Sequence, residues 1–361
     1  MADGSPDHHI LARGRKLGRG FRSGSKLGIL DGRSHSGPRK ARSTLPREFE
    51  QIVWDDRLRA AWEGLLRLAV AEDLGEAGDW TTRALVPQDA LGRAAVVARE
   101  SGVIAGLPGV EGTLRQIDPR LRWLPAKEDG QPVRAGDHLG RIEGPAPGLL
   151  AAERLVLNLL GRLSGIATLT RRYVEAVRGT QARIYDTRKT TPGWRRLEKY
   201  AVAQGGGWNH RAGLFDAVLI KDNHLALWSQ LPGNATLRHT AAEAVARARR
   251  MLQEHAPERG CGGMIVEVEV DRLEQFEEVL SAGPDIVLLD NMSPAELRQA
   301  VARRDAFDTA IELEASGKVR LGTVREIAET GVERISVGAL THSAEHLDVG
   351  LDWIGDDVAK S

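Results

Sequence analysis

Cysteine is nearly absent from this chain, because Cys261 is the single cysteine among its 361 residues. An internal disulfide is therefore excluded, and such a composition is typical of proteins that stay in a reducing compartment. No cysteine–histidine signature surrounds Cys261, so we do not expect a catalytic thiol there. With 42% hydrophobic residues, the chain can instead build a core that needs no disulfide or structural metal.

Long hydrophobic runs are absent as well. The most apolar stretch, residues 149–169, is interrupted by a glutamate and two arginines, whereas a membrane-spanning helix needs about 20 uncharged apolar residues. The N-terminus is basic but lacks the apolar segment of a secretory signal. The sequence therefore predicts a cytoplasmic protein without membrane association.

Acidic and basic residues balance at 50 each, but they are distributed unevenly. Residues 1–44 carry ten Lys or Arg against three Asp, a net charge of +7, so the remaining chain carries −7. Because this segment is rich in Gly, Ser and Arg and poor in large apolar residues, we predict a disordered basic tail. Nucleic-acid binding by the tail is the less favoured alternative, since Phe21 is its one aromatic residue.

Two sequence patterns divide the rest of the chain. Residues 45–150 combine helical periodicity over 50–74 with short β-prone runs broken by Gly, Pro and Asp, which predicts a compact N-terminal α+β domain. A long helix is predicted from Ala151 to Val177. Beyond it, apolar runs of strand length alternate with helical segments.

This alternation predicts a parallel sheet with right-handed crossovers. Its six units fit an incomplete α/β (TIM-like) barrel over residues 151–340. A doubly wound open sheet is the alternative, but it usually carries a Gly-rich fingerprint after its first strand, where this chain has Asp-Thr-Arg-Lys. The predicted strands are residues 182–189, 216–222, 264–270, 285–291, 310–316 and 334–340.

The predicted strands end in residues that can bind or react. The active site of an α/β barrel lies at the C-terminal ends of its strands, so we expect these residues to surround one cavity. They are Arg188 and Lys189, Lys221, Glu269, Asp290, Ser316 and Gly317, and Gly338.

Basic residues predict the charge of the ligand. His210 and Arg211 lie between the first two predicted strands, and Arg154 lies on the long helix. Arginines form bidentate pairs with carboxylates and phosphates, while lysines act as point charges. Together with the cations at the strand ends, these residues predict a substrate with several negative groups.

Phosphate and metal binding are predicted at the later strands. Ser316-Gly317-Lys318 and Val337-Gly338-Ala339 are small-residue turns before helical segments, and backbone N–H groups at such turns bind phosphate. Glu269 and Asp290 offer oxygen ligands that suit Mg²⁺ beside bound phosphate. No zinc motif and no nucleophile elbow occur in the chain.

Alternation along the strands predicts carboxylates inside the barrel. Glu267 and Glu269 share one face of their strand, and Glu312, Glu314 and Ser316 share one face of another. Buried carboxylates are costly unless they pair with cations or a ligand. We interpret the deeper Glu267 and Glu312 as members of structural ion pairs.

Seven strings of residues resemble one known family. They are ERLVLNLLGRLSGIATLT, DTRKTTPGWRRLEKYAV, GGGWNHRAGLFDAVLIKDNH, VEVEVD, LLDNM, LEASGKV and ISVGALTHS. Over roughly residues 50–353, the chain resembles the quinolinate phosphoribosyltransferases, also called nicotinate-nucleotide pyrophosphorylases (carboxylating). The resemblance implies an N-terminal α+β sandwich domain, joined by the C-terminal segment 341–361, and an incomplete barrel that works as a homodimer or a higher oligomer.

The same resemblance implies an activity and a site. Quinolinate and phosphoribosyl pyrophosphate would form nicotinate mononucleotide, pyrophosphate and CO₂ in de novo NAD biosynthesis, with Mg²⁺ and no organic cofactor. Lys189, Lys221, Glu269 and Asp290 would be catalytic, and Glu269 and Asp290 would face the ribose and Mg²⁺. Arg154 would reach the partner's active site. The pyridine dicarboxylate would be surrounded by Thr187, Arg188, Lys189, His210, Arg211 and Lys221. The 5′-phosphate would be bound by Ser316, Gly317, Lys318, Val337, Gly338 and Ala339.

Two positions depart from the family pattern. Ala203 stands where a basic residue is common, and Lys318 replaces the frequent glycine of a Ser-Gly-Gly turn. The alternatives are a related pyrophosphorylase-like protein of molybdenum transport and a non-catalytic phosphosugar-binding or nucleic-acid-binding protein. The complete basic set at the strand ends favours the quinolinate enzyme over both.

Overall fold

The computed structural model describes residues 48–230, 240–259, 263–307 and 310–354. The predicted basic tail, residues 1–44, and Cys261 lie outside this part of the chain. Within these ranges, no helix combines the length and the apolar character that crossing a membrane requires.

The N-terminal part contains a four-stranded antiparallel sheet covered by helices. The C-terminal strand β12 (Val349–Trp353) pairs with β1, so the end of the chain returns to this sheet. The strand order is β12-β1-β5-β3, and β2 pairs separately with β4. The other elements, in chain order, are α1 (Asp56–Leu74), α2 (Trp80–Leu85), β1 (Leu91–Ala98), β2 (Gly102–Val103), α3 (Leu107–Ile117), β3 (Arg122–Pro125), β4 (Pro132–Val133) and β5 (His138–Pro145).

Helix α4 (Ala146–Ala176) connects the two hydrophobic cores. Its Leu149 and Leu160 pack in the N-terminal core, while its Leu163 and Ile166 pack in the core of the barrel. The helix begins five residues before the predicted start at Ala151 because a proline is tolerated in the first turn, where backbone N–H groups have no intrahelical partner.

Helix α1 begins later than the helical periodicity from residue 50 predicts. Asp55 caps it, since its side chain accepts a hydrogen bond from the backbone N–H of Leu58 at 2.7 Å. Residues 48–52, which precede this cap, are extended and contact the barrel.

The barrel part contains six parallel strands in the order β6-β11-β10-β9-β8-β7. The edge strands β6 and β7 do not pair with each other in the described part of the chain, so the sheet stays open and the predicted incomplete α/β barrel is confirmed. Its elements, in chain order, are β6 (Arg183–Tyr185), α5 (Arg195–Gln204), β7 (Val218–Ile220), α6 (Asp222–Gln230), α7 (Ala241–Arg259), β8 (Val266–Val270), α8 (Phe276–Ala282), β9 (Ile286–Asp290), α9 (Pro294–Ala306), β10 (Glu312–Ser316), α10 (Val324–Ala328), β11 (Arg334–Ser336) and α11 (Ala339–His342).

The interior face of the barrel is polar. Glu314 lies opposite Arg334 on one neighbouring strand and opposite Leu288 on the other, and paired residues of parallel strands share a face. Glu314, Arg334 and Glu267 are completely buried. The prediction that carboxylates lie inside the barrel is therefore confirmed.

Candidate active site

The cations after β6 lie against the turn after β11. A Cβ atom added to Gly338 would lie 3.0 Å from Cδ of Lys189, so any larger residue there would force the lysine side chain to shift. The hydroxyl of Thr341 donates to the backbone carbonyl of Lys189 at 2.7 Å, and the hydroxyl of Thr187 accepts from the Lys189 N–H at 3.0 Å. The first and last strand ends thus form one surface.

Lys221 and Glu269 form a second contact between strand ends. Their side chains form an ion pair in direct contact, with Lys221 half exposed and Glu269 largely buried. They lie on the interior face because Leu219, two residues before Lys221, pairs with Glu267 in the sheet. The pair places one positive and one negative group together at the mouth of the barrel.

Asp290 and Ser316 are opposite each other at the ends of β9 and β10. The turns that follow them interlock, because the N–H of Asn291 donates to the carbonyl of Ser316 at 2.9 Å. Gly317 has φ +89°, and a Cβ atom there would lie 2.3 Å from Oδ1 of Asn291. Only glycine fits this position.

Lys318 adopts a glycine-like backbone conformation. Its φ is +50°, in the left-handed region that costs a non-glycine residue about 1–2 kcal/mol. The family's frequent glycine at this position therefore has a conformational reason. The lysine keeps the backbone shape of the turn and adds an exposed cation that forms no ion pair with another described residue.

His210 points into the barrel interior. Its Nε2 lies 3.0 Å from Oε2 of Glu267 and 3.5 Å from Oε1 of Glu314, and its Nδ1 accepts from the N–H of Arg211 at 2.8 Å. Burial alone would lower the pKa of His210, but the carboxylates of Glu267 and Glu314 outweigh it and raise the pKa. Glu267 therefore lies against a cationic partner, as the ion-pair interpretation predicts, although neither of its oxygens makes a hydrogen bond to a described residue.

Arg188 and Arg211 form a concentrated positive charge. Nε of Arg188 is buried and has no hydrogen-bond partner among the described residues. Burial first, and then the nearby Arg188 guanidinium, lower the pKa of Arg211, while Glu267 opposes this shift. A buried donor without a partner beside a second guanidinium suits an anionic ligand.

Below the site, Arg334 neutralises the interior carboxylates. Its guanidinium lies 2.9 Å from Glu312 and 3.0 Å from Glu314, and Arg183 also contacts Glu312 at 2.9 Å. The structural role predicted for Glu312 is thus confirmed, although the sequence reasoning missed both arginines. The strand alternation in RIS (334–336) could have revealed Arg334, because it shares the face of Ser336.

His210, Glu267 and Glu314 also have the spacing of a metal site, since one ligand atom of each lies within 4.8 Å of the others. Arg334 at 3.0 Å from Glu314 already supplies positive charge to this buried group. Glu269 and Asp290 suit Mg²⁺ better, because they are only partly buried and lie at the mouth of the barrel.

A buried ion pair holds the backbone of His210. Lys199 contacts Asp186, and both side chains are almost completely buried. Nζ of Lys199 donates to the carbonyl of His210 at 2.8 Å, and Oδ1 of Asp186 accepts from the His210 N–H at 2.9 Å. Burial lowers the pKa of Lys199, and Asp186 opposes this shift. The sequence reasoning missed this pair, whose residues lie 13 positions apart.

Arg154 does not join the other predicted site residues. It is exposed on α4, and no ion pair or hydrogen bond links it to another residue of the described chain. Ala203, the other departure from the family pattern, lies half-buried in the last turn of α5.

Comparisons with known proteins match this chain and its fold to one family. The model of the quinolinate phosphoribosyl transferase C-terminal domain matches residues 166–352, and that of the N-terminal domain matches residues 79–164. The chain is 44% identical over 292 residues to the nicotinate-nucleotide pyrophosphorylase [carboxylating] of Mycobacterium leprae, covering 80% of this chain and 95% of that protein. It is 38% identical to the chloroplastic protein of the same name from Arabidopsis thaliana, covering 80% and 82%. The structure of the nicotinate-nucleotide pyrophosphorylase from Francisella tularensis aligns with a TM-score of 0.74 and 33% identity, covering 84% of this chain and 99% of that one.

Proposed function

The chain belongs to the quinolinate phosphoribosyltransferase family, and from this premise we propose how its residues carry out the family's reaction. The enzyme transfers the phosphoribosyl group of phosphoribosyl pyrophosphate to quinolinate and forms nicotinate mononucleotide, pyrophosphate and CO₂, a step of NAD biosynthesis. The molybdenum-transport and non-catalytic alternatives are not favoured, because relatives named for this transferase match 80% of the chain.

The observation that carries the site assignment is the cluster of cations at the barrel mouth. Burial and the nearby Arg188 guanidinium lower the pKa of Arg211, and the buried Nε of Arg188 lacks a hydrogen-bond partner among the described residues. Quinolinate carries two carboxylates, which would supply the missing acceptors. We assign its binding to Thr187, Arg188, Lys189, His210, Arg211 and Lys221.

The ribose binds, in this proposal, beside Glu269 and Asp290. The ring nitrogen of quinolinate attacks the ribose carbon that bears pyrophosphate, and positive charge develops on the ribose as the C–O bond breaks. Carboxylates placed at that point stabilise the charge. Lys189 and Lys221 stabilise the negative charge of the substrates and of the departing pyrophosphate. The alkylated ring is a pyridinium, whose positive nitrogen stabilises the carbanion left at C2 when CO₂ departs. A proton from solvent then adds to C2 and completes nicotinate mononucleotide.

Glu269 and Asp290 are also the proposed ligands of Mg²⁺. Glu269 pairs in the sheet with Leu288, which shares a strand face with Asp290, so both carboxylates lie on the interior face at the ends of adjacent strands. Bound there, partly through the substrate, Mg²⁺ would neutralise charge on the pyrophosphate.

The 5′-phosphate is assigned to the two small-residue turns. Ser316, Gly317 and Lys318 form one turn, and Val337, Gly338 and Ala339 form the other. Their supporting features are the tight approach of Asn291 to Gly317 and of Lys189 to Gly338. Both turns leave little room for side chains and favour contact through backbone N–H groups.

A homodimer with shared active sites is the proposed assembly. Arg154 is exposed and separate from the other site residues, so a second subunit would be needed to use it. Leu214 and Phe215, just after Arg211, are 72% and 79% exposed, respectively, and such apolar side chains are suited to burial by a partner. We further propose that the enzyme works in the cytoplasm, as its single cysteine favours.

We expect quinolinate to be a substrate and nicotinate not. A guanidinium that pairs with the 2-carboxylate is left buried and unpaired when nicotinate binds, at a cost of about 2–5 kcal/mol, or about 30-fold to several thousand-fold in kcat/KM. Purified protein is incubated with phosphoribosyl pyrophosphate, Mg²⁺ and each acid, and nicotinate mononucleotide is detected by mass spectrometry. Absence of product from quinolinate would overturn the proposed function, and similar turnover of both acids would overturn the carboxylate assignment.

Replacing Lys318 with glycine removes the positive side chain but lets the backbone keep its left-handed conformation, so the variant tests the role of the charge. Glycine relieves the left-handed conformation but increases the entropy of the unfolded chain, and these effects of about 1 kcal/mol each nearly cancel. We therefore expect an almost unchanged free energy of unfolding and a rise of about threefold to tenfold in KM for phosphoribosyl pyrophosphate. Arg320→Ala removes a nearby exposed cation as a control. Equal effects of the two variants would contradict a specific phosphate contact.

A further inference from the structure

Residues 48–52, the N-terminal strap, contact the back of the candidate site. Phe49 is buried among Ala217, Ile265 and Ile286, which lie at the starts of β7, β8 and β9. The strap therefore closes the end of the barrel opposite the active-site mouth.

Phe49 also contacts a residue of the site itself. Its ring stacks on the imidazole of His210 with centroids 4.5 Å apart and an interplanar angle of 26°. The guanidinium of Arg334 also lies over the Phe49 ring, with its Cζ atom 5.1 Å from the ring centroid. Phe49 thus contacts one face of the imidazole, while the interior carboxylate Glu267 lies at its Nε2 edge.

The strap also binds the backbone of Asn209, the residue before His210. Oε1 of Gln51 accepts from the Asn209 N–H at 2.8 Å, and Nε2 of Gln51 donates to the Asn209 carbonyl at 3.4 Å. The N–H of Ile52 donates to Oδ1 of Asn209 at 2.7 Å. One short segment therefore binds three polar atoms of a residue that makes no predicted contact with substrate.

Glu48 fastens the start of the strap. Its carboxylate lies 3.0 Å from Arg183 and 3.2 Å from Arg334, and it accepts from the hydroxyl of Tyr185 at 2.7 Å. These partners belong to β6 and β11, the strands that precede Lys189 and Gly338 respectively. The strap is therefore tied to the same rigid strands that position the cations.

We propose that the N-terminal strap is a positioning device for quinolinate binding, in which Phe49 and Gln51 set the orientation of His210 and Arg211. This inference rests on the proposed function, because it assigns quinolinate to those two residues. Among the described residues, no hydrogen bond, ion pair or ring contact joins the strap to the phosphate turns or to Glu269 and Asp290. Its effect should therefore fall on quinolinate and spare phosphoribosyl pyrophosphate.

Gln51→Ala is the main test because Gln51 is only half-buried, so the variant should fold. We expect KM for quinolinate to rise about tenfold, as small errors in positioning do, while KM for phosphoribosyl pyrophosphate stays within about twofold. Phe49→Leu keeps an apolar side chain in the core but removes the ring stacked on His210, and it should have the same selective effect. Glu50→Gln, an exposed change on the same strap, is the matched control and should leave both constants unchanged.

A merely structural strap would give a different result. The melting temperature would fall in Gln51→Ala and Phe49→Leu, but both KM values, measured well below it, would stay at wild-type levels; this outcome would overturn the proposal. An equal rise of both KM values would overturn it as well.

Hydrogen exchange gives a readout that does not depend on activity. The Asn209 N–H loses its acceptor in Gln51→Ala, so the peptide covering residues 208–212 should exchange about fivefold faster, and unchanged exchange would overturn the proposal. A wild-type protein that forms no product from quinolinate would instead overturn the proposed function, and the exchange rates would still decide whether the strap holds the loop.

Discussion

Mixing an Arg154→Ala protein with a Lys221→Ala protein restores up to about a quarter of wild-type activity, although each variant alone is inactive. If Arg154 of one protomer completes the site that contains Lys221 of its partner, a heterodimer has one site in which both residues are intact. Random reassociation makes half of the dimers mixed, and one of the two sites in each is active. Steady-state formation of nicotinate mononucleotide before and after subunit exchange measures the recovery.

The control for this experiment is Arg172→Ala. Arg172 is an exposed arginine on the same helix, α4, and its removal should leave activity close to wild type. Demonstrated subunit exchange without recovered activity would contradict a shared site. An active Arg154→Ala protein would show that Arg154 is not needed for catalysis.

Replacing Arg334 with methionine lowers the free energy of unfolding by about 3–5 kcal/mol, because it leaves buried carboxylates without their cation. The guanidinium is completely buried and contacts Glu48, Glu312 and Glu314 within 3.2 Å. Methionine fills much of the volume of the arginine side chain, so the loss of stability reflects the missing positive charge more than lost packing. Urea unfolding monitored by circular dichroism gives the free energies.

Arg325→Met is the matched control for this loss. Arg325 pairs with Glu329 at 2.6 Å, but both side chains are about half exposed, and such a helical surface pair contributes about 0.5 kcal/mol or less. The second substitution Glu314→Gln in the Arg334→Met protein should recover part of the loss, because it removes one of the stranded charges. Equal stabilities of the two single variants would contradict a stabilising role for the buried arginine–carboxylate network.

The architecture and the position of the candidate site at the strand ends were predictable because they follow from local patterns. Strand–helix alternation predicts the parallel sheet, and the C-terminal ends of its strands must converge, so the sequence alone places Lys221 and Glu269 together. Alternation within a strand likewise predicted that Glu312 and Glu314 face the interior. These inferences need only the spacing of residues along one element.

Contacts between distant segments could not be predicted in this way. Glu48 lies 286 positions before Arg334, and nothing in the residues around either one indicates that they meet. The lysine at position 318 was expected at the 5′-phosphate in place of a frequent glycine, but its left-handed backbone became visible only in the structure of the turn. The direction of the His210 side chain, toward Glu267, also depends on packing from the strap and not on its own neighbours in sequence.

The pairing of β12 with β1 has a consequence for how the chain is made. Ribosomes deliver the N-terminal strands first, and domains generally fold as they emerge, but the edge of this sheet is supplied by residues 349–353, which follow the barrel strands in the chain. Until then, one side of β1 has no hydrogen-bonding neighbour from the chain and presents an open strand edge. The barrel can therefore fold before the N-terminal sheet is complete. A nascent chain arrested before residue 349 should therefore contain a protease-resistant barrel and a protease-sensitive N-terminal sheet. Once residues 349–353 are released and pair with β1, the sheet should become as resistant to protease as the barrel.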